Sequence, residues 1–213
     1  GDLSLPEIVE VSSAQLSTHD QFFMMAEGGK IDYASHANDG GTVLREVLVF
    51  DKAIKVAYDF YMQHPDETLI VVTADHETGG MALGNSDYTL NLKVLAEQKC
   101  SSDLLSDQLS ALQKEAGKHL TWEQVKEVIS KNTGLYTVVE ISKEEDQLLQ
   151  AAFEQMMQHQ GVEKSLYKDI NALASKALAL LNQKSRLGWT SKGHTASAVP
   201  VFAIGVGAER FTG

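Results

Sequence analysis

The apolar run TLIVVTA (68–74) breaks directly into DHETGG (75–80), and this junction constrains the fold more than any other stretch. A continuous aliphatic and β-branched run without polar alternation reads as a strand covered on both faces. Two further runs share that character, QFFMMA (21–26) and AVPVFAIGV (198–206), the second with a proline that favours a strand start or an edge. Between the first two strands, Val43, Val47, Phe50, Ile54, Ala57, Tyr58 and Tyr61 fall at helical spacing over 42–63, and His64-Pro65 stops the pattern. Strand, helix and strand in this order predict an α/β fold with a parallel sheet.

The texture changes between Gly84 and Gly188. YTLNLKV (88–94) alternates apolar and polar residues and reads as a strand, after which the pattern turns helical. Residues 103–118 carry Leu104, Leu105, Leu109 and Leu112 on one side. Thr121 with Gln124, and Ser142 with Glu145, form capping boxes ahead of two more helices, the second stopped by Gly161. A last helix takes in Leu166, Ile170, Leu173, Ala177, Leu178 and Leu181. The expected organisation is a core built from 1–85 and 190–213, with 86–189 as a mostly helical insertion. The Met and Leu stripes of the insertion read as packing faces.

Composition excludes several classes. A net charge of −11 with no basic tract would repel a phosphate backbone, which argues against a nucleic-acid partner. The single cysteine, Cys100, excludes an intrachain disulfide. No apolar run is long enough to predict a membrane span. The start, GDLSLPEI, lacks a methionine and no signal peptide is visible; both ends read as those of an excised piece of a longer protein.

Metal-friendly residues collect at the strand ends. Glu27 follows QFFMMA, and Asp32 and His36 lie just beyond it; Asp75 and His76 follow TLIVVTA; His194 precedes the third run. Ligands of open α/β sheets gather where loops converge at the carboxyl ends of strands. Asp32 and His36 are four apart, so one helical turn places them on one face. Carboxylate and imidazole together suit zinc and related divalent ions. Adjacent Asp75 and His76 need an irregular strand end to act together, and Gly79 and Gly80 permit such a turn. His19, His64, His119 and His159 sit in polar or helical-surface contexts and read as structural.

AEGGKIDYASH, a helix, IVVTADHETGG and then GHTASAVPVFAIGVGAERF resemble, in order and spacing, the carboxy-terminal half of bacterial alkaline phosphatases. The likeness covers 20–84 and 190–213 well, while 86–190 falls where that family carries a variable crown-like region. It implies a three-layer α/β sandwich with a mostly parallel central sheet, here an incomplete half. It also implies two zinc ions and one magnesium ion. Asp32, His36 and His194 would hold the first zinc, Asp75 and His76 the second, and Glu27 the magnesium. The implied reaction is hydrolysis of phosphate monoesters through a phosphoserine intermediate, in a periplasmic or secreted homodimer.

Two departures stand out. Tyr33 follows the metal Asp where some relatives carry Lys or His. No segment matches the family's nucleophilic serine: Ser12, Ser13 and Ser35 lack the flanking pattern, and Arg45 reads as a surface charge. The missing amino-terminal half is therefore an expected partner, and the chain alone is expected to be inactive. A cofactor-independent phosphoglycerate mutase shares a similar D-x-x-x-H, TADH and His-Thr pattern, but it lacks the Glu27-Gly28-Gly29 element and keeps its inserted domain in its first half. An interaction module with vestigial ligands is the non-enzymic alternative, and the intact set of ligand residues argues against it.

Overall fold

A computed structural model of the chain describes residues 2–85, 88–164 and 167–211. In chain order the helices are α1 (Leu5–Leu16), α2 (Gly29–His36), α3 (Gly40–Gln63), α4 (Ser102–Ala116), α5 (Trp122–Thr133), α6 (Lys143–Met157) and α7 (Ala172–Ser185). The strands are short: β1 (Leu69–Val72), β2 (Glu77–Thr78), β3 (Ala82–Leu83), β4 (Val162–Glu163), β5 (Ile170–Asn171), β6 (Leu187–Gly188), β7 (His194–Thr195) and β8 (Phe202–Gly205). The chain divides into two compact units, one of residues 1–31, 44–77 and 195–213, the other of 32–43 and 78–194.

The first unit holds α1, most of α3, and the pair β1 and β8. Helix α1 starts where the sequence allows it to: the backbone N–H and hydroxyl of Ser4 both donate to Glu7, at 2.7 and 2.6 Å, and Pro6 occupies the first turn. Those two hydrogen bonds hold the Glu7 carboxyl below its ordinary value, the hydroxyl contributing most. Helix α3 follows the expected range closely. Strands β1 and β8 lie inside the runs that predicted them, with Leu69 opposite Gly205 and Val72 opposite Phe202. Their pairing is antiparallel, where strand–helix–strand order predicts parallel. That order links QFFMMA to β1 through α3, whereas the whole of 73–201 separates β1 from β8, so it sets no direction for this pair. The α/β class itself stands.

QFFMMA is not a strand. Residues 21–28 carry no ladder among the described residues, with Phe23 and Met25 exposed and Phe22 edge-on to Phe60 at 5.7 Å between ring centroids. An apolar run becomes a strand only with a backbone partner, and β1 pairs with β8 instead.

The second unit contains the better-developed core. Helix α7, rich in Ala and Leu, is a strong helix former capped by the Asn171 side chain, which accepts from the backbone N–H of Leu173 at 2.9 Å. It packs against α4, α5 and α6, and Leu173, Ala174, Ala177 and Leu181 are fully buried together with Leu105, Leu109, Val125 and Ile129. Each such Leu or Ile contributes about 1.5–3 kcal/mol by burial. Both capping boxes form, with Gln124 accepting from the Thr121 N–H at 3.0 Å and Glu145 from the Ser142 N–H at 2.8 Å. Gly161 has a φ of 77° just past α6.

Three expectations here are corrected. Residues 88–94 form no strand; a 3₁₀ turn spans Leu92–Glu97 instead, and Asn91 donates to the Ser185 carbonyl at 3.1 Å, so the backbone is satisfied by the end of α7. Leu104 is exposed while Leu105 and Leu109 fill the α4 core face. The last helix starts at Ala172, because Ile170 and Asn171 pair with Val162 and Glu163 in a hairpin first. Leu166, and the position 86 where the insertion is expected to begin, lie outside the described residues.

Candidate metal centre

The last two turns of α2 place Asp32 and His36 on one face, as their spacing requires. His36 is buried, at 4% exposure, so its ring orientation is fixed by the protein and not by solvent. Its Nδ1 lies 2.6 Å from the backbone carbonyl of Lys192. A carbonyl only accepts, so Nδ1 carries the proton and Nε2 keeps its lone pair. That Nε2 has no hydrogen-bond partner among the described residues, although it is buried. It faces Asp32 Oδ1 at 3.5 Å, and the half-exposed His194 brings its own Nε2 within 3.9 Å of the same oxygen.

One atom from each of Asp32, His36 and His194 falls within a mutual 4.8 Å, a grouping of one carboxylate and two imidazoles. A buried ring nitrogen with no hydrogen-bond partner among the described residues is unfavourable, and a cation beside it would relieve that cost. The donor set suits zinc, and the hydrogen bond from His36 to a main-chain carbonyl is the support that metal-binding histidines characteristically have. The residues therefore fit a divalent metal ion. Asp32 is held in turn by two hydroxyls: Thr78 donates to Oδ1 at 2.6 Å and Tyr167 to Oδ2 at 2.8 Å.

The glycine pair anchors the segment that carries His194. The Gly79 N–H donates to the Gly193 carbonyl at 2.9 Å, and the Gly79 carbonyl accepts from Thr190 and Ser191 at 3.0 and 3.1 Å. Gly79 has a φ of 89°, and a Cβ there would sit 2.7 Å from the Trp189 ring and 3.1 Å from the Ser35 carbonyl. Gly79→Ala is expected to cost about 1–3 kcal/mol from backbone strain alone. The ring contact adds to this. Urea unfolding of the variant is the check, and an unchanged midpoint would mean the glycine is dispensable.

Asp75, His76 and Glu27 belong to the other unit. Asp75 and His76 follow β1 side by side; the His76 Nε2 lies 3.1 Å from Asp75 Oδ2, and its backbone N–H donates to Asp75 Oδ1 at 3.1 Å. Asp75 and Glu27 are exposed and His76 is partly buried. Sequence reasoning missed Thr78, Tyr167 and the Lys192 carbonyl. Thr78 stands within DHETGG and was legible as a hydroxyl near the candidate metal-binding residues. A backbone carbonyl leaves no trace in side-chain identity, and Tyr167 is distant in sequence from every ligand.

The sequence profile of the alkaline phosphatase family matches residues 2–213. The chain belongs to the alkaline phosphatase family. Alkaline phosphatase 4 of Bacillus subtilis is 30% identical over the whole chain, which covers 41% of that protein. Among solved structures, a cold-active alkaline phosphatase from a psychrophilic Shewanella superposes with a TM-score of 0.77 at 28% identity, over 99% of this chain and 46% of its own. The Thermus thermophilus alkaline phosphatase gives 0.70 at 26% identity, over 98% of this chain and 43% of its own. The chain thus spans less than half the length of these relatives. The family match also decides against the mutase reading. Among the described residues no helix is long and apolar enough to cross a membrane.

Proposed function

We propose that this chain supplies most of the metal ligands of a phosphate monoester hydrolase whose serine nucleophile lies elsewhere in the protein. The observation that carries the reading is the buried His36, its proton committed to the Lys192 carbonyl and its Nε2 turned toward Asp32 and His194. In this reading Asp32, His36 and His194 hold one zinc, Asp75 and His76 a second, and Glu27 a magnesium ion. Bound divalent ions supply positive charge against the transferring phosphoryl group, which makes a net charge of −11 compatible with an anionic substrate. The chain's own residues prepare the site: Lys192 keeps the His36 proton on Nδ1, Thr78 and Tyr167 orient the Asp32 carboxylate, and the Gly79 hydrogen bonds seat the His194 segment. Residues 86–189 form the insertion, hydrolysis runs through a phosphoserine intermediate, and the protein acts as a homodimer outside the cytoplasm.

The test is hydrolysis of p-nitrophenyl phosphate by the full-length protein and by this chain alone, both loaded with zinc and magnesium. The full-length protein is expected to turn over and the chain alone is not. His194→Ala in the full-length protein is expected to lower kcat/KM by more than the roughly 10–100-fold typical of residues that merely support a ligand. Turnover by the chain alone, or full activity without His194, would overturn the proposal.

A further inference from the structure

The hairpin of β4 and β5 lays one side chain on the cluster from outside the segments that supply its ligands. Tyr167, in the hairpin's connection, donates its hydroxyl to Asp32 Oδ2 at 2.8 Å. Its ring lies tilted by 34° against Tyr33, with 3.9 Å between centroids, and stands edge-on to His36 at 5.5 Å. Asp32 Oδ2 thus accepts from the phenol, while Oδ1, which accepts from Thr78, faces His36 and His194. Tyr167 and Tyr33 are both about half exposed, so neither ring is held by deep burial.

The hairpin is fastened on three sides. The Asn171 N–H donates to the Ser106 hydroxyl at 2.9 Å, and the Lys168 ammonium grips both Asp107 oxygens at 2.7 and 2.8 Å. Glu163 pairs with the Lys192 ammonium, and Lys192 is the residue whose carbonyl accepts the hydrogen bond from His36 Nδ1. One short hairpin thus reaches the supports of two ligands, Asp32 directly and His36 through Lys192.

We propose that Tyr167 is a positioning residue for Asp32, helping to fix which carboxylate oxygen faces the metal, and that the pair β4 and β5 supports the site through it. The proposal rests on the reading of Asp32, His36 and His194 as metal ligands. Without the phenol, Oδ2 loses the hydrogen bond that Tyr167 supplies, and Thr78 on Oδ1 is left to hold the terminal torsion with less support. Outer hydrogen bonds of this kind are typically worth about 10–100-fold in metal affinity.

Zinc titration of the full chain against a competing chelator tests it, with Tyr167→Phe, Tyr33→Phe and Asp32→Ala alongside. Tyr167→Phe keeps the ring contact and removes only the hydroxyl. It is expected to weaken zinc binding about 10–100-fold, with an unchanged circular dichroism spectrum, and to shift the visible absorption of the cobalt-substituted site. Tyr33→Phe, which leaves the Asp32 hydrogen bond in place, is expected to bind as the parent does. Loss of zinc from Asp32→Ala with parental affinity in Tyr167→Phe would overturn the role of Tyr167 and leave the ligand reading intact. No zinc uptake by the parent would overturn both.

Discussion

Changing His36 to Ala is expected to weaken zinc binding by about 100- to 1000-fold, more than the same change at His194. Zinc held by four protein ligands is worth about 10–16 kcal/mol, so a single ligand of such a set accounts for roughly 2.5–4 kcal/mol, and in a three-ligand site for no less. At about 1.4 kcal/mol per factor of ten, that share gives the quoted range. The two histidines differ in how much order already exists before metal arrives. His36 is buried, its Nδ1 held by the Lys192 carbonyl and its Nε2 without a hydrogen-bond partner among the described residues. His194 is half exposed, and ordering it on binding takes back part of what its coordination contributes. The readout is independent of catalysis. Zinc at 100 times its dissociation constant is expected to stabilise the parent by about 2.7 kcal/mol. That increment is expected to fall to about 0.4 kcal/mol or less in His36→Ala at the same zinc concentration. An undiminished zinc-induced shift in the variant's unfolding midpoint would remove His36 from the ligand set.

The trio of Asp32, His36 and His194 shows which parts of a site a sequence discloses. Asp32 and His36 were legible because a spacing of four has only one meaning on a helix. His194 was legible only as a histidine beside an apolar run, and it took the folded segment 188–194 to bring it to the other two. The glycine pair was read as permitting a turn, and Gly79 does more: it accepts and donates the hydrogen bonds that hold the His194 segment. Tyr167 was invisible, since nothing local marks a tyrosine that will reach a carboxylate 135 residues away in sequence. The same division holds for the fold. Helix α3 and both capping boxes are local and were read correctly, whereas QFFMMA and 88–94 have strand-like composition but no ladder in the described residues. Pairing is a long-range property, and composition alone does not supply the partner.

Asp39 carries the second large effect, on stability. Its side chain is 1% exposed and accepts four hydrogen bonds. Oδ1 takes the Thr42 N–H at 3.1 Å and the Gln98 amide at 2.6 Å; Oδ2 takes the Thr42 hydroxyl at 2.8 Å and the Ser102 N–H at 2.7 Å. The Thr42 and Ser102 N–H groups belong to the first turns of α3 and α4, so a single carboxylate satisfies orphan donors at two helix starts and opposes the positive end of both dipoles. Asp39→Ala strands these buried donors, each worth about 1–3 kcal/mol when left unmet. Removing the carboxylate also relieves the cost of burying its charge, which keeps the total below the simple sum. The expected loss is about 3–5 kcal/mol, within the range reserved for broken buried networks. Asp39→Asn is expected to lose about half as much, because its carbonyl oxygen still accepts while its amide turns donors toward a donor. Urea unfolding in the presence of a chelator separates this from any metal contribution. A loss under about 1 kcal/mol for Asp39→Ala would mean that water or rearranged side chains meet those donors as well as the carboxylate does.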